Sequence, residues 1–166
     1  HQTLSPAMDI QVASNFERFL YYHFDQDSDR LVAFMQEFTA TGSASIGAPP
    51  NTQLMSSVAV NTEQTLAAMR DVNQQFQYVL DPHTAVGYHA ARKHLDEMSK
   101  GTDIVVVATA HPAKFPDAVQ EATGFEPTHP TLEALKGLDM HRTALPCDIG
   151  AVKTYLVEKL QMAREA

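Results

Sequence analysis

The stretch Asp103–Ala108 (DIVVVA) limits the fold more than any other part of the chain. Its isoleucine and three valines are β-branched, stiff at χ1 and poor helix formers. A run this continuously apolar is expected of a strand buried on both faces of a parallel sheet. Ser57–Val60 and Gln77–Leu80 are shorter candidate strands, and helix patterns fill most of the remaining chain. Strands alternating with helices predict the α/β class, as a three-layer αβα arrangement with a short, mostly parallel sheet. Few strands for so many helices imply that this sheet is part of a larger one; an intact small α/β domain is the alternative. The 166 residues are enough for one domain with a real core, and residues 1–166 read as a single α/β segment.

The helices announce themselves by their ends. Ser14 and Glu17 have capping-box spacing and predict a helix from Asn15, with Phe16, Phe19, Leu20 and Phe24 as its buried stripe. A second helix, from about Asp29 to Gly42, places Leu31, Phe34, Met35 and Phe38 on one face. Gly42–Asn51 reads as a loop. Asn61 or Thr62 caps a third helix in which Leu66, Met69 and Phe76 line up. Asp81 followed by Pro82 is a helix-start signature, because the carboxylate accepts from free N–H groups and proline fits the first turn. That helix is predicted to run to about Lys100, with Val86, Ala90, Ala91, Leu95 and Met98 on its apolar face. Pro116 opens a helix that Gly124 closes, and a short helix follows near Thr131–Leu138. A last helix starts near Asp148, with Ile149, Val152, Leu156 and Leu160 inward.

In open parallel sheets, ligands bind outside the carboxyl ends of the strands. Two loops fall there: Asp81-Pro82-His83-Thr84 and Thr109-Ala110-His111-Pro112. Each carries hydroxyl and imidazole groups toward a helix start, whose free N–H groups favour anions. Taken singly, each is explained as well by an Asp81 cap and by turn hydrogen bonds from the histidines.

Other chemistries lack their signatures. Twelve basic residues against 20 acidic ones give a formal charge of −8 with no basic block, which argues against nucleic acid and anionic membranes as partners. No stretch is long and apolar enough to span a bilayer, and the start, at His1, carries no leader pattern. The one cysteine, Cys147, excludes an internal disulfide and fits a reducing, cytoplasmic compartment. The eight histidines show no HExxH or Cys/His array, so no metal site is expected. Neither a GxSxG elbow nor a GxGxxG or Walker loop is present. Of six lysines, only Lys114 falls in a candidate site loop, and a surface charge accounts for it.

Together, LDPHTAVG (Leu80–Gly87) and ATAHPAKF (Ala108–Phe115) resemble signature segments of the threonine synthases of the bacterial and fungal type. SPAMDIQVASNFERFL (Ser5–Leu20) is similar to that family as well, and the order of the segments agrees over nearly the whole chain. The resemblance implies the C-terminal portion of a lyase of threonine biosynthesis that uses pyridoxal phosphate (PLP) in fold type II. It implies conversion of O-phospho-L-homoserine and water to L-threonine and phosphate. The family's Schiff-base lysine and cofactor-phosphate loop lie upstream of the matched region, so no catalytic residue is expected here. PLP would be bound mainly by the N-terminal part of the same enzyme, the chain's expected partner, and this segment alone would be inactive. By resemblance, Thr109 faces the pyridine nitrogen, and His83 and Thr84 face the cofactor or substrate. The competing expectation is a stand-alone α/β module that binds a small anion or a protein and does no chemistry.

Overall fold

The computed structural model describes residues 2–10, 12–47, 55–95, 101 and 103–165. They group into two compact units, His1–His129 and Pro130–Ala166.

The first unit begins with two short helices, α1 (Ser14–His23) and α2 (Ser28–Thr41). Ala13, not Ser14, occupies the cap position of α1, and no side chain caps that end. The capping-box spacing therefore marks the helix but not its first residue. Leu20 and Phe24 are buried as expected, whereas Phe16 is exposed. Asp27 accepts from the Arg30 N–H and starts α2. Gly42 ends it at φ +75°, a left-handed conformation that glycine adopts without a Cβ clash. The two helices meet where the Phe24 and Phe34 rings lie 5.7 Å apart, with the Arg30 guanidinium 4.4 Å over the Phe24 ring.

Three helices carry the core. α3 (Thr62–Phe76) opens with a complete capping box: Asn61 accepts from the Gln64 N–H, and the Gln64 side chain accepts from the Asn61 N–H. α4 (Pro82–Leu95) and α5 (Pro116–Thr123) both pack on α3. Met69, Val72, Leu80, Ala85, Val119 and Ala122 form the buried cluster between them, with Leu66, Val79 and Tyr88 at its margin. Phe76, expected in this stripe, is exposed, as is Leu95 on α4. Met98 and the stretch to Lys100 lie outside the described residues.

The expected sheet is not there. Among the described residues no strand forms, so the three-layer αβα reading with a short parallel sheet is overturned in favour of a helical architecture. A strand needs a ladder partner, and apolar β-branched sequence alone cannot supply one. Gln77 instead turns left-handed at the end of α3, with φ +53°. Asp103–Ala108 is a connecting run with only one face covered. A Cβ on Gly87 of α4 would lie 3.6 Å from a Val106 methyl, so Val106 rests on that helix. Val105 and Val107 face outward at 84 % and 71 % exposure.

The second unit contains α6 (Pro130–Leu135) and α7 (Ile149–Glu165). Both helices were expected. The residues predicted to face inward on α7, Ile149, Val152, Leu156 and Leu160, are instead exposed to different degrees. A unit this small has too little of its own surface to cover them. No described helix is long and apolar enough to cross a membrane.

Candidate functional site

Asp81 is the centre of the polar structure in the first unit. It lies between the buried Leu80 and Pro82, at the entrance to α4, and is only 1 % exposed. A carboxylate taken that far from water must have its lone pairs occupied. Oδ1 accepts from the His83 N–H at 2.9 Å and from His83 Nδ1 at 3.0 Å. A longer bond from the Thr84 N–H, 3.4 Å, reaches the same oxygen. Oδ2 accepts the Thr84 hydroxyl. The helix-start role read from Asp-Pro is thus present, extended to two side chains.

Each of those side chains carries the network further. The Thr84 hydroxyl, having donated to Asp81, accepts the Thr109 N–H at 3.2 Å. His83 accepts the Ala7 N–H on Nε2 at 3.4 Å, which leaves Nδ1 as the nitrogen that donates to Asp81. Its ring also packs on Phe115, with centroids 4.7 Å apart. Asp81 is therefore joined to three distant segments: the Ser5–Asp9 turn through His83, the Thr109 backbone through Thr84, and the 112–115 turn through the ring contact.

The Ser5–Asp9 turn has its own anchor. Asp9 accepts the Thr3 N–H at 2.7 Å and the Thr3 hydroxyl at 2.8 Å. The Thr3 backbone bond is the main reason its carboxyl is held below the ordinary aspartate range; partial burial opposes this, and the Thr3 hydroxyl reinforces it.

The second loop is arranged differently. His111 Nδ1 accepts the Ala113 N–H at 3.1 Å and caps a single 3-10 turn, Pro112–Lys114, which leads into α5. This is the turn hydrogen bond expected of it. Lys114 is exposed. Thr109 is exposed too, and its hydroxyl has no partner among the described residues, although its N–H is held by Thr84. No group of three potential metal ligands forms among the described residues.

The structure therefore brings His83, Thr84 and Thr109 into one hydrogen-bonded set, in two different states. His83 and Thr84 are buried, with their polar atoms already engaged, whereas Thr109 presents a free neutral hydroxyl outward. Sequence reasoning left Asp81 as a cap and did not see that it links the other three. The separation of 25 residues between Thr84 and Thr109 gives no local pattern from which that link could be read.

Residues 84–156 match the family "Threonine synthase, C-terminal". Over nearly its whole length the chain is similar to threonine synthases. It is 36 % identical to the threonine synthase of Pseudomonas aeruginosa, over 94 % of this chain and 34 % of that protein. It superposes with a TM-score of 0.76 and 37 % identity on a PLP-bound threonine synthase from Brucella melitensis, again over 94 % of this chain and 34 % of the other. Against the yeast threonine synthase structure the TM-score is 0.72 at 28 % identity, over 98 % of this chain and 37 % of that one. The chain thus spans about a third of the length of these relatives.

Proposed function

We propose that this chain is the C-terminal portion of a cytoplasmic, PLP-dependent threonine synthase that converts O-phospho-L-homoserine and water to L-threonine and phosphate. Its part would be to supply one wall of the cofactor site and to work only together with the N-terminal part of the enzyme. The exposed, unpartnered Thr109 hydroxyl carries this reading, because it lies within the ATAHPAKF segment and its own backbone is held in place by Thr84.

The donor chemistry fits the cofactor. A threonine hydroxyl can donate to a neutral pyridine nitrogen, whereas a carboxylate there would hold the ring as a pyridinium. The nearest carboxylate in the network, Asp81, has both oxygens occupied by its own loop. When bound, the cofactor supplies the electron sink that stabilises carbanions formed from the amino acid. Thr109 would orient the ring by its nitrogen edge. His83 and Thr84 would complete the same wall behind it.

The test is Thr109→Ala in the full-length enzyme. The expected result is roughly tenfold weaker cofactor binding, the scale of one lost hydrogen bond, with a shifted absorption maximum and an unchanged circular dichroism spectrum. Thr109→Ser should retain most of the wild-type affinity. Wild-type affinity and absorbance in the alanine variant would remove Thr109 from the site.

A further inference from the structure

We infer that Asp81 and Thr84 form a positioning relay that fixes the Thr109 backbone from which its hydroxyl projects, without either residue touching the cofactor. This rests on the reading of Thr109 given above and adds the residues that act through it.

The argument follows one proton. A hydroxyl has a single hydrogen and can accept with its lone pairs. Buried Asp81 is an obligatory acceptor at Oδ2, so it claims the Thr84 hydrogen. With that hydrogen committed, the Thr84 oxygen can offer only lone pairs to its other neighbour, the Thr109 N–H at 3.2 Å. The polarity of the chain is thereby fixed: Thr109 N–H to Thr84, Thr84 O–H to Asp81. The Thr109 backbone is pinned at its nitrogen while its side chain stays exposed. Otherwise Thr109 sits beside a run with one face uncovered, so little else fixes it. A donor misplaced by a fraction of an ångström loses much of its value, which is why a pinned backbone matters for an exposed hydroxyl.

The carboxylate is placed to hold this polarity whatever occupies the site. Its other oxygen is taken up by the His83 backbone and ring and by the Thr84 N–H, so it cannot rotate to release the Thr84 hydroxyl without breaking four bonds. His83 shares the anchor but leads away from Thr109, toward Ala7.

Thr84→Val in the full-length holoenzyme separates the relay from bulk packing, because valine keeps the shape and removes only the hydroxyl. Three readouts are needed: cofactor dissociation constant, cofactor absorption maximum, and amide hydrogen exchange at Thr109 in the cofactor-free protein. The relay predicts about tenfold weaker cofactor binding, a shifted maximum and faster exchange at Thr109, with Thr84→Ser restoring all three toward wild type. It also predicts that Thr84→Val adds nothing to cofactor affinity on a Thr109→Ala background, since both changes remove one effect. If Thr109→Ala weakens the cofactor but Thr84→Val does not, the relay is overturned and the Thr109 reading stands. If Thr109→Ala has no effect while Thr109 exchange still depends on the Thr84 hydroxyl, the cofactor reading fails instead. Should the valine variant not fold, Thr84→Ala carries the decision: faster Thr109 exchange with weaker cofactor binding supports the relay, and wild-type values of either overturn it.

Discussion

Asp9 gives the clearest pH signature at the scale of a single residue. Its carboxyl is lowered from the ordinary value of 3.8, first by the Thr3 N–H and then, against partial burial, by the Thr3 hydroxyl. A group whose folded pKa is depressed adds stability that is present above its unfolded value and is lost as pH falls through the folded one. The Asp9→Asn variant should therefore unfold more readily than wild type at neutral pH, and the difference should shrink below pH 3.8. Urea midpoints across that range check it, and a difference independent of pH would show that the Asp9 charge is not what anchors the turn. At this scale the sequence was informative about residue types. Asp-Pro predicted a cap, and Asp81 caps α4; an imidazole turn bond was predicted, and His111 makes one. What it withheld was direction. Whether a hydroxyl points out, as on Thr109, or into a carboxylate, as on Thr84, is decided by which distant segment arrives beside it.

Among the elements, α3 rests most on local signals. Its capping box pairs Asn61 with Gln64 in both directions at 2.9 Å, so two otherwise unpaired donors of the first turn are satisfied. Asn61→Ala should cost about 1 kcal/mol of stability, as lost caps do, and Asn61→Asp should recover most of it. Chemical denaturation measures both, and an alanine variant as stable as wild type would mean that packing on α4 and α5 alone holds this end. Helices with such local punctuation were legible: Gly42 and Gly124 stop α2 and α5 at φ +75° and +84° where expected. Asp103–Ala108 was misread because its β-branched content expresses a preference for a pleated, covered surface, not the presence of a neighbouring strand. Val106 finds cover on α4 at Gly87, while Val105 and Val107 find none. Amphipathic spacing likewise placed Ile149 and Leu160 on one face of α7, but spacing cannot say whether anything lies against that face.

For the whole molecule the decisive fact is proportion. The chain spans about a third of the relatives it matches, and the one hydroxyl proposed to meet the cofactor, that of Thr109, is exposed. A donor on an open surface competes with water and contributes little, whereas the same donor in a closed, dry site is worth far more. Thr109 alone therefore cannot hold a cofactor tightly, however well Thr84 fixes its backbone. The separately produced chain should bind PLP at best weakly and show no saturable absorbance change near stoichiometric concentrations. It should also release no phosphate from O-phospho-L-homoserine, and both properties should appear when it is joined to the N-terminal part of the enzyme. Stoichiometric, tight PLP binding by the chain alone would favour a self-sufficient binding module over a half-site. Phosphate release by the chain alone would go further, because it would require that the proton transfers of the reaction be supplied from within these 166 residues.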